Sequence, residues 1–254
     1  MSDLLYETRD KVAWITINRE SRRNAVSLEM IDLFFAYLAR AAGDEEVRVV
    51  CLTAAGNKAF CSGADLSSGG GASPLAGARK YADLLKRMSE FPKPLVARVN
   101  GNCIAGGMGF MLSCDLAYAG ETAKFGTPEV NVGLFPMMVA ALVFRNALRK
   151  KALEMVYTAR MMSAGDAEDM GLITRSVPDG DLDLVVNQAL ASIAAKAPLA
   201  VQFGRKALAV AQDMGLNEAL DYMCGQLGAV LATEDAMEGI AAFVQKREPV
   251  WKGR

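Results

Sequence analysis

Three glycines open an apolar run in IAGGMGFMLSCD, residues 104–115: Gly106, Gly107 and Gly109 stand just before Phe110, Met111 and Leu112, at what reads as a helix start. Each glycine costs a helix interior about 0.8 to 1 kcal/mol relative to alanine, so helicity does not explain them. Two reasons compete: close packing of backbone on backbone, or N–H groups left bare for a ligand. A helix N-terminus carries unpaired donors and the positive end of the macrodipole, so a site built there suits a developing anion. Any accompanying proton chemistry is constrained by the lack of histidine in all 254 residues. That excludes Ser-His-Asp and Cys-His nucleophile arrangements and HExxH-type metal sites. Carboxylates and backbone dipoles are left.

Other chemical signals are weaker. Cys51, Cys61, Cys103, Cys114 and Cys224 are odd in number and form no CxxC pair, which reads as free buried thiols and not as a disulfide framework or zinc knuckle. RESRR, residues 19–23, concentrates Arg19, Arg22 and Arg23 after an apolar stretch; it either meets phosphates or is simply solvated. LSSGGGASPLAG, residues 66–77, has a loop composition and lacks the GK[ST] ending of a phosphate loop.

The elements that must hold these groups alternate. KVAWITIN (11–18), VRVVCLT (47–53) and PLVARVN (94–100) are β-branched and aromatic and read as buried strands. Between the first two, Leu28, Ile31, Leu33, Phe34, Phe35 and Leu38 fall on one helical face behind Ser27 as N-cap. Strand and helix alternate through the first two thirds, which predicts an α/β core. From about residue 137 the periods turn helical, with Ser163 as a further cap. Several of these later helices are rich in alanine and leucine and can associate with one another or with a neighbouring chain. The net charge of -1 gives no basic field for nucleic acid. No apolar run reaches a membrane-spanning length and the N-terminus lacks a signal-peptide pattern, so no membrane partner and a cytoplasmic location are the expectation.

KAFCSGADL (58–66), NGNCIAGGMGFMLSCDL (100–116) and AKFGTPEVNVGLFP (123–136), taken in order, resemble the crotonase, or enoyl-CoA hydratase/isomerase, superfamily. The resemblance runs from INRESRRNAV to FVQKREPVWKG and so covers nearly the whole chain. It implies a crotonase-like (ClpP/crotonase) α/β spiral of ββα units over residues 1–190. A C-terminal helical trimerisation region would follow over residues 191–254, giving a homotrimer or a dimer of trimers. It also implies an acyl-CoA thioester as substrate, with coenzyme A entering only as part of that substrate, no separate cofactor and no metal.

By the same resemblance the backbone N–H groups of Ala64 and Gly106 form an oxyanion hole for the thioester, and Glu129 is the acid/base group. The family hydratases place a further glutamate three residues after the second oxyanion-hole glycine; here that position is Gly109. The family's glycine-rich GxxPGxGG segment reads GLFPMMVA, so Met137 and Met138 either shape a drier acyl pocket or pack a helix start. The resemblance places Arg22, Arg23 and Ala25, with Ala64, Asp65 and Leu66, along the CoA nucleotide, and Phe243 and Lys246 over it, in some relatives from a neighbouring subunit. Lys246 also reads as an exposed helix residue. The side chains of Asp65 and Asp115 read as structural.

One carboxylate can shift a double bond, taking the C2 proton of a 3-enoyl thioester and returning a proton at C4. The missing first glutamate therefore makes enoyl-CoA isomerase the expected activity. The alternatives are a hydratase or hydrolase using Glu129 with water, and a non-catalytic acyl-CoA-binding oligomer. An apolar wall including Phe135 and the methionines is expected to raise the pKa of Glu129.

Overall fold

The computed structural model describes residues 2–65 and 73–254. Leu66 and most of the serine- and glycine-rich stretch lie outside the described residues.

Strand β1 (Leu4–Arg9) turns through Asp10 and Lys11, both at positive φ, into β2 (Val12–Ile17), and the two pair antiparallel. The sequence pattern missed β1 because it is an edge strand: only Leu4 is buried along it, so it carries no apolar alternation. Helix α1 (Leu28–Gly43) follows, with the Ser27 hydroxyl accepting the Met30 N–H as the expected cap, and it buries Met30, Ile31, Phe34, Leu38 and Ala41.

Next come three units of the same build. Strands β3 (Val49–Ala54) and β4 (Ala59–Cys61) lead to α2 (Pro74–Ser89). Strands β5 (Leu95–Val99) and β6 (Asn102–Ile104) lead to α3 (Gly106–Leu112). Strands β7 (Leu116–Gly120) and β8 (Lys124–Gly126) lead to a 3-10 turn, Pro128–Val132, and then α4 (Met137–Asn146). The first strand of each unit joins one sheet, where β3, β5 and β7 are parallel neighbours; the second joins another, where β4, β6 and β8 are parallel neighbours. Each ββα unit is thus one step of a spiral, and equivalent positions of successive units lie side by side.

Residues on β3 show why its sequence has no polar face. Val50 and Leu52 point into the main core with Phe34, Phe60, Phe91, Phe110 and Phe125, while Val49 and Cys51 face α7 (Leu182–Ala194) through its Leu182, Val186 and Leu190. A sheet covered on both faces needs apolar residues on both.

The last third is mostly helical, as expected, with α5 (Arg149–Thr158) and α6 (Ala164–Asp169) preceding α7, and α8 (Pro198–Ala211), α9 (Leu216–Leu231) and α10 (Glu234–Gln245) after it. Ser163 makes a full capping box with Asp166. Two strands interrupt the helices: β9 (Met162–Ser163) beside β8, and β10 (Arg175–Val177) beside β7. At two and three residues they are too short to show a period in the sequence.

Two cations, buried Lys93 and partly buried Arg205, brace the helices near the spiral. Lys93 donates to the carbonyls of Ala41 and Asp44 at the end of α1. Arg205, on α8, donates to the carbonyls of Met88, Ser89 and Phe91 at the end of α2 and pairs with Asp115 at 2.7 Å. Asp115 also accepts the Leu95 N–H, which makes it the structural residue its sequence context suggested.

Candidate active site

The three expected catalytic groups occupy the same place in three successive units. Ala64 follows the end of β4 by three residues, Gly106 follows β6 by two, and Glu129 follows β8 by three. Because those strands are parallel neighbours, the groups are gathered beyond their C-terminal ends, at one end of the smaller sheet.

Backbone contacts fix the first two closely. A Cβ added at Gly63 would lie 3.1 Å from the Gly106 nitrogen, and one added at Gly106 would lie 3.6 Å from the Ala64 nitrogen. The two amides therefore line one small space, and as the first residue of α3, Gly106 has no intrahelical acceptor for its N–H. Ala105, just before it, holds φ 51° and ψ -126°. That is a conformation an L side chain rarely adopts and costs about 1 to 3 kcal/mol. It sets the plane of the 105–106 peptide and so the direction of the Gly106 N–H. The Ala105 N–H, in turn, is bound to the Gly126 carbonyl at the end of β8, 2.9 Å away.

The glycines of IAGGMG have separate explanations. At Gly107 an added Cβ would overlap the Cys61 carbonyl oxygen, so α3 sits directly on β4 and only glycine fits. At Gly109 it would fall on the hydroxyl of Tyr81, from α2. Gly106 alone has ordinary room, its nearest neighbour to an added Cβ being 3.4 Å away. Close packing accounts for two of the three and the ligand reading for the third.

Glu129 stands in the 3-10 turn, half-buried, with Oε2 fully enclosed and without a hydrogen-bond partner. Burial raises its pKa above the ordinary carboxylate value, the direction the sequence predicted. Thr127, two residues earlier, is also buried with an unpartnered hydroxyl. The apolar wall is only partly as expected: Met137 is exposed, and Phe135, 39% exposed, packs against Tyr157 with ring centroids 6.5 Å apart.

The expected nucleotide-binding residues are largely brought together. The Ser62 N–H donates to the Arg23 carbonyl, the Asp65 N–H to that of Val26, and Val26 bridges Ala64 in parallel. Arg22, Arg23 and Ala25 therefore run beside Ala64 and Asp65, whereas Leu66 is outside the described residues. Arg23 also joins Glu20, Lys58, Ser62, Asn102 and Ile104 around a cleft of about 380 Å³. The Asp65 carboxylate pairs with Arg19 at 3.0 Å, which supports the structural reading of its side chain and takes Arg19 out of the set of free cations. Phe243 and Lys246 lie elsewhere: α10 packs on α8 and α9, Phe243 is 85% exposed and Lys246 ends the helix in a left-handed conformation. Within one chain neither is on an element of the site.

The cysteines supply no nucleophile. Cys61 and Cys103 sit side by side on β4 and β6, buried, and burial pushes the Cys61 thiol up to about 12. All five are free, but the expectation of burial holds fully only for Cys51, Cys61 and Cys103: Cys114 is partly buried and Cys224 is exposed on α9. Among the described residues no group of His, Cys, Asp or Glu could hold a metal ion.

Sequence reasoning missed Tyr81. Its hydroxyl donates to the Gly106 carbonyl at 2.6 Å, its ring meets Phe110 edge-on at 5.3 Å, and burial raises its pKa well above the ordinary phenol value, with Cys61, Cys103 and Glu129 adding to the rise. Nothing in YADLLKRM, a good amphipathic helix, marks its first residue as more than packing.

Comparison with known proteins places the family and the fold. The sequence model described as Enoyl-CoA hydratase/isomerase matches residues 7–254. The chain is 34% identical to a 2,3-dehydroadipyl-CoA hydratase of Escherichia coli (strain K12), over all of both chains. It is 30% identical to a short-chain-enoyl-CoA hydratase of Clostridium acetobutylicum, covering 98% of this chain and 97% of that one. Its fold superimposes on the crystal structure of an enoyl-CoA hydratase from Bacillus anthracis with a TM-score of 0.95 at 29% identity, covering all of both chains.

Proposed function

Since the chain belongs to the enoyl-CoA hydratase/isomerase family and has the crotonase fold, we propose that it acts on an enoyl-CoA thioester through an enolate. The amides of Ala64 and Gly106 hold the thioester oxygen, and Glu129 carries the proton. The observation behind this reading is the meeting of two backbone amides from successive units at strand ends where a desolvated carboxylate with one unpartnered oxygen also stands. Preset donors are worth about 3 to 4 kcal/mol each where charge develops, and a carboxylate of raised pKa is suited to exchange protons with carbon near neutral pH.

Two reactions share this intermediate. In hydration of a 2-enoyl thioester, Glu129 takes a proton from water as the water oxygen bonds to C3; the enolate then takes that proton at C2. In double-bond migration, Glu129 removes the C2 proton of a 3-enoyl thioester and returns it at C4. We place hydration first, because both curated relatives described above are named hydratases. Migration, the sequence-based expectation, becomes the second reading, and the absence of a side chain at Gly109 favours it, since a single carboxylate suffices.

Purified protein given crotonyl-CoA and, separately, a 3-enoyl-CoA distinguishes them. Loss of conjugated thioester absorbance with the first, abolished in Glu129→Gln, supports hydration. Gain of conjugation with the second supports migration. Binding without either reaction, over several chain lengths, would leave a non-catalytic acyl-CoA-binding protein.

The proposed assembly is a homo-oligomer, a trimer or a dimer of trimers. None of the sixteen residues of α9 is buried within one chain. Leu216, Leu220, Leu227 and Leu231 on α9 are exposed together with Ile240, Phe243 and Val244 on α10. So large an apolar surface calls for cover, and a neighbouring subunit would bring Phe243 and Lys246 to a CoA site they do not reach within their own chain.

A further inference from the structure

We propose that Tyr81 is the second functional side chain of the site: a positioning residue whose hydroxyl holds the Gly106 arm of the oxyanion hole and occupies the space that a side chain at 109 would need. The proposal rests on the enolate reading above but not on which of the two reactions follows.

Four contacts carry it. The Tyr81 hydroxyl donates to the Gly106 carbonyl at 2.6 Å, at the short end for an O–H donor. It lies 3.6 Å from the point where a Gly106 Cβ would stand, and so beside the space lined by the two amides. The missing Cβ of Gly109 is what admits it. Its ring is clamped edge-on against Phe110, which is itself stacked on Phe34 at 5.2 Å. The hydroxyl is thus held from the ring side and spends its proton on one carbonyl.

The effect is on orientation. The conformation of Ala105 sets the Gly106 N–H from one side; the Tyr81 bond fixes the carbonyl on the other. Together they immobilise Gly106, which lacks the Cβ that restrains other residues. Burial keeps the phenol protonated far above neutrality, so it remains a donor throughout the working range. The same hydroxyl explains why the site has one carboxylate: with Tyr81 in place, position 109 has no room for a second.

Tyr81→Phe keeps the ring and removes the bond. The probe is acetoacetyl-CoA, a 3-oxoacyl thioester whose enolate absorbs differently from its keto form, with butyryl-CoA as the analogue that forms no such enolate. In the variant the bound enolate fraction and kcat should fall together by about tenfold, the loss of one well-placed hydrogen bond. KM and butyryl-CoA affinity should stay within about twofold, and the pH limb set by Glu129 should not move. Gly109→Ala, which pushes the hydroxyl off Gly106 without deleting it, should reproduce this split, and the double variant should be no worse than the more damaged single one.

Unchanged kcat and enolate binding in Tyr81→Phe would overturn the proposal, as would an equal loss of butyryl-CoA affinity, which marks a packing residue. Glu129→Gln separates the two levels of the argument, because it should abolish turnover while keeping the enolate bound. Failure of the unaltered protein to bind the enolate would overturn the site reading and this inference together, whereas binding that ignores Tyr81→Phe would overturn only the latter.

Discussion

The two walls of the site are built on opposite principles. On the amide wall, Ala105 is held at φ 51°, Gly107 touches β4 where no Cβ fits, and Tyr81 is bonded to Gly106. On the acid wall, Glu129 stands in a five-residue 3-10 turn with no fully buried residue, and one carboxylate oxygen has no partner. The first wall is held rigid by packing; the second leaves its one charged group desolvated, with one oxygen unbonded. The contrast fits the two tasks. An anion is stabilised best by donors that need not reorganise, while a carboxylate that takes a proton at one atom and delivers it at another must not be tied down by hydrogen bonds that fix its charge.

The sharpest way to break the comparison is to disable one wall at a time. Glu129→Gln should lower turnover by about 10² to 10⁴ with enolate binding intact; a smaller loss would mean the proton is carried elsewhere. On the amide wall, Gly107→Ala forces a Cβ onto the Cys61 carbonyl. Overpacking of this kind costs about 2 to 3 kcal/mol, which thermal or urea unfolding would register. Since Cys61 leads to Ala64 and Gly107 follows Gly106, the clash should also spread the two amides and remove activity in the surviving folded protein. Retained activity would show that the hole tolerates displacement and is not rigid.

Much of this was legible in the sequence, and the reasons for the rest are physical. The strands beginning near Lys11, Val47 and Pro94 were readable because both faces of their sheet are covered, so the apolar signal is continuous. The caps at Ser27 and Ser163 were readable because they are local hydrogen bonds between near neighbours. Glu129 and the pair Ala64 and Gly106 are named by family motifs, and the structure sets them at the ends of neighbouring strands. Tyr81 is not so named, because its contact with Gly106 and Gly109 spans about 25 residues and arises only when the helix of one spiral unit packs on that of the next. The short strands β9 and β10 were missed for a similar reason: they exist only as partners of β8 and β7. Phe243 and Lys246 stand on a helix that packs on α8 and α9, apart from the elements that carry the site.

Backbone strain on the amide wall provides a milder test. Ala105→Gly removes the steric cost of positive φ but adds unfolded-state entropy, for a net gain in stability of about 1 kcal/mol. The same change frees the 105–106 peptide, so kcat should fall while the melting temperature rises. Opposite movement of these two readouts is the signature of strain used for positioning. If both rise, the conformation of Ala105 is a structural accident and the rigid-wall argument loses one of its three supports.

The acid wall makes the smallest and most specific prediction, in the pH dependence of stability. Burial raises the folded-state pKa of Glu129 above its unfolded value. The folded protein therefore binds this proton more tightly than the unfolded chain, so the carboxyl contributes no penalty below the unfolded value of about 4.3. The penalty develops as pH climbs through that value and is complete above the raised folded one. Glutamine is close in shape and has no charge to desolvate. Glu129→Gln should therefore melt with the unaltered protein in acid and above it at neutral pH, while having lost its turnover. The upper end of this window, where the penalty is complete, is set by the folded-state titration of Glu129 and should coincide with the low-pH limb of activity measured on the unaltered enzyme. If the limb falls outside the window in which the two proteins diverge, the group that limits turnover is not the one whose charge the fold resists, and the assignment of proton transfer to Glu129 fails even if the amide wall survives every test.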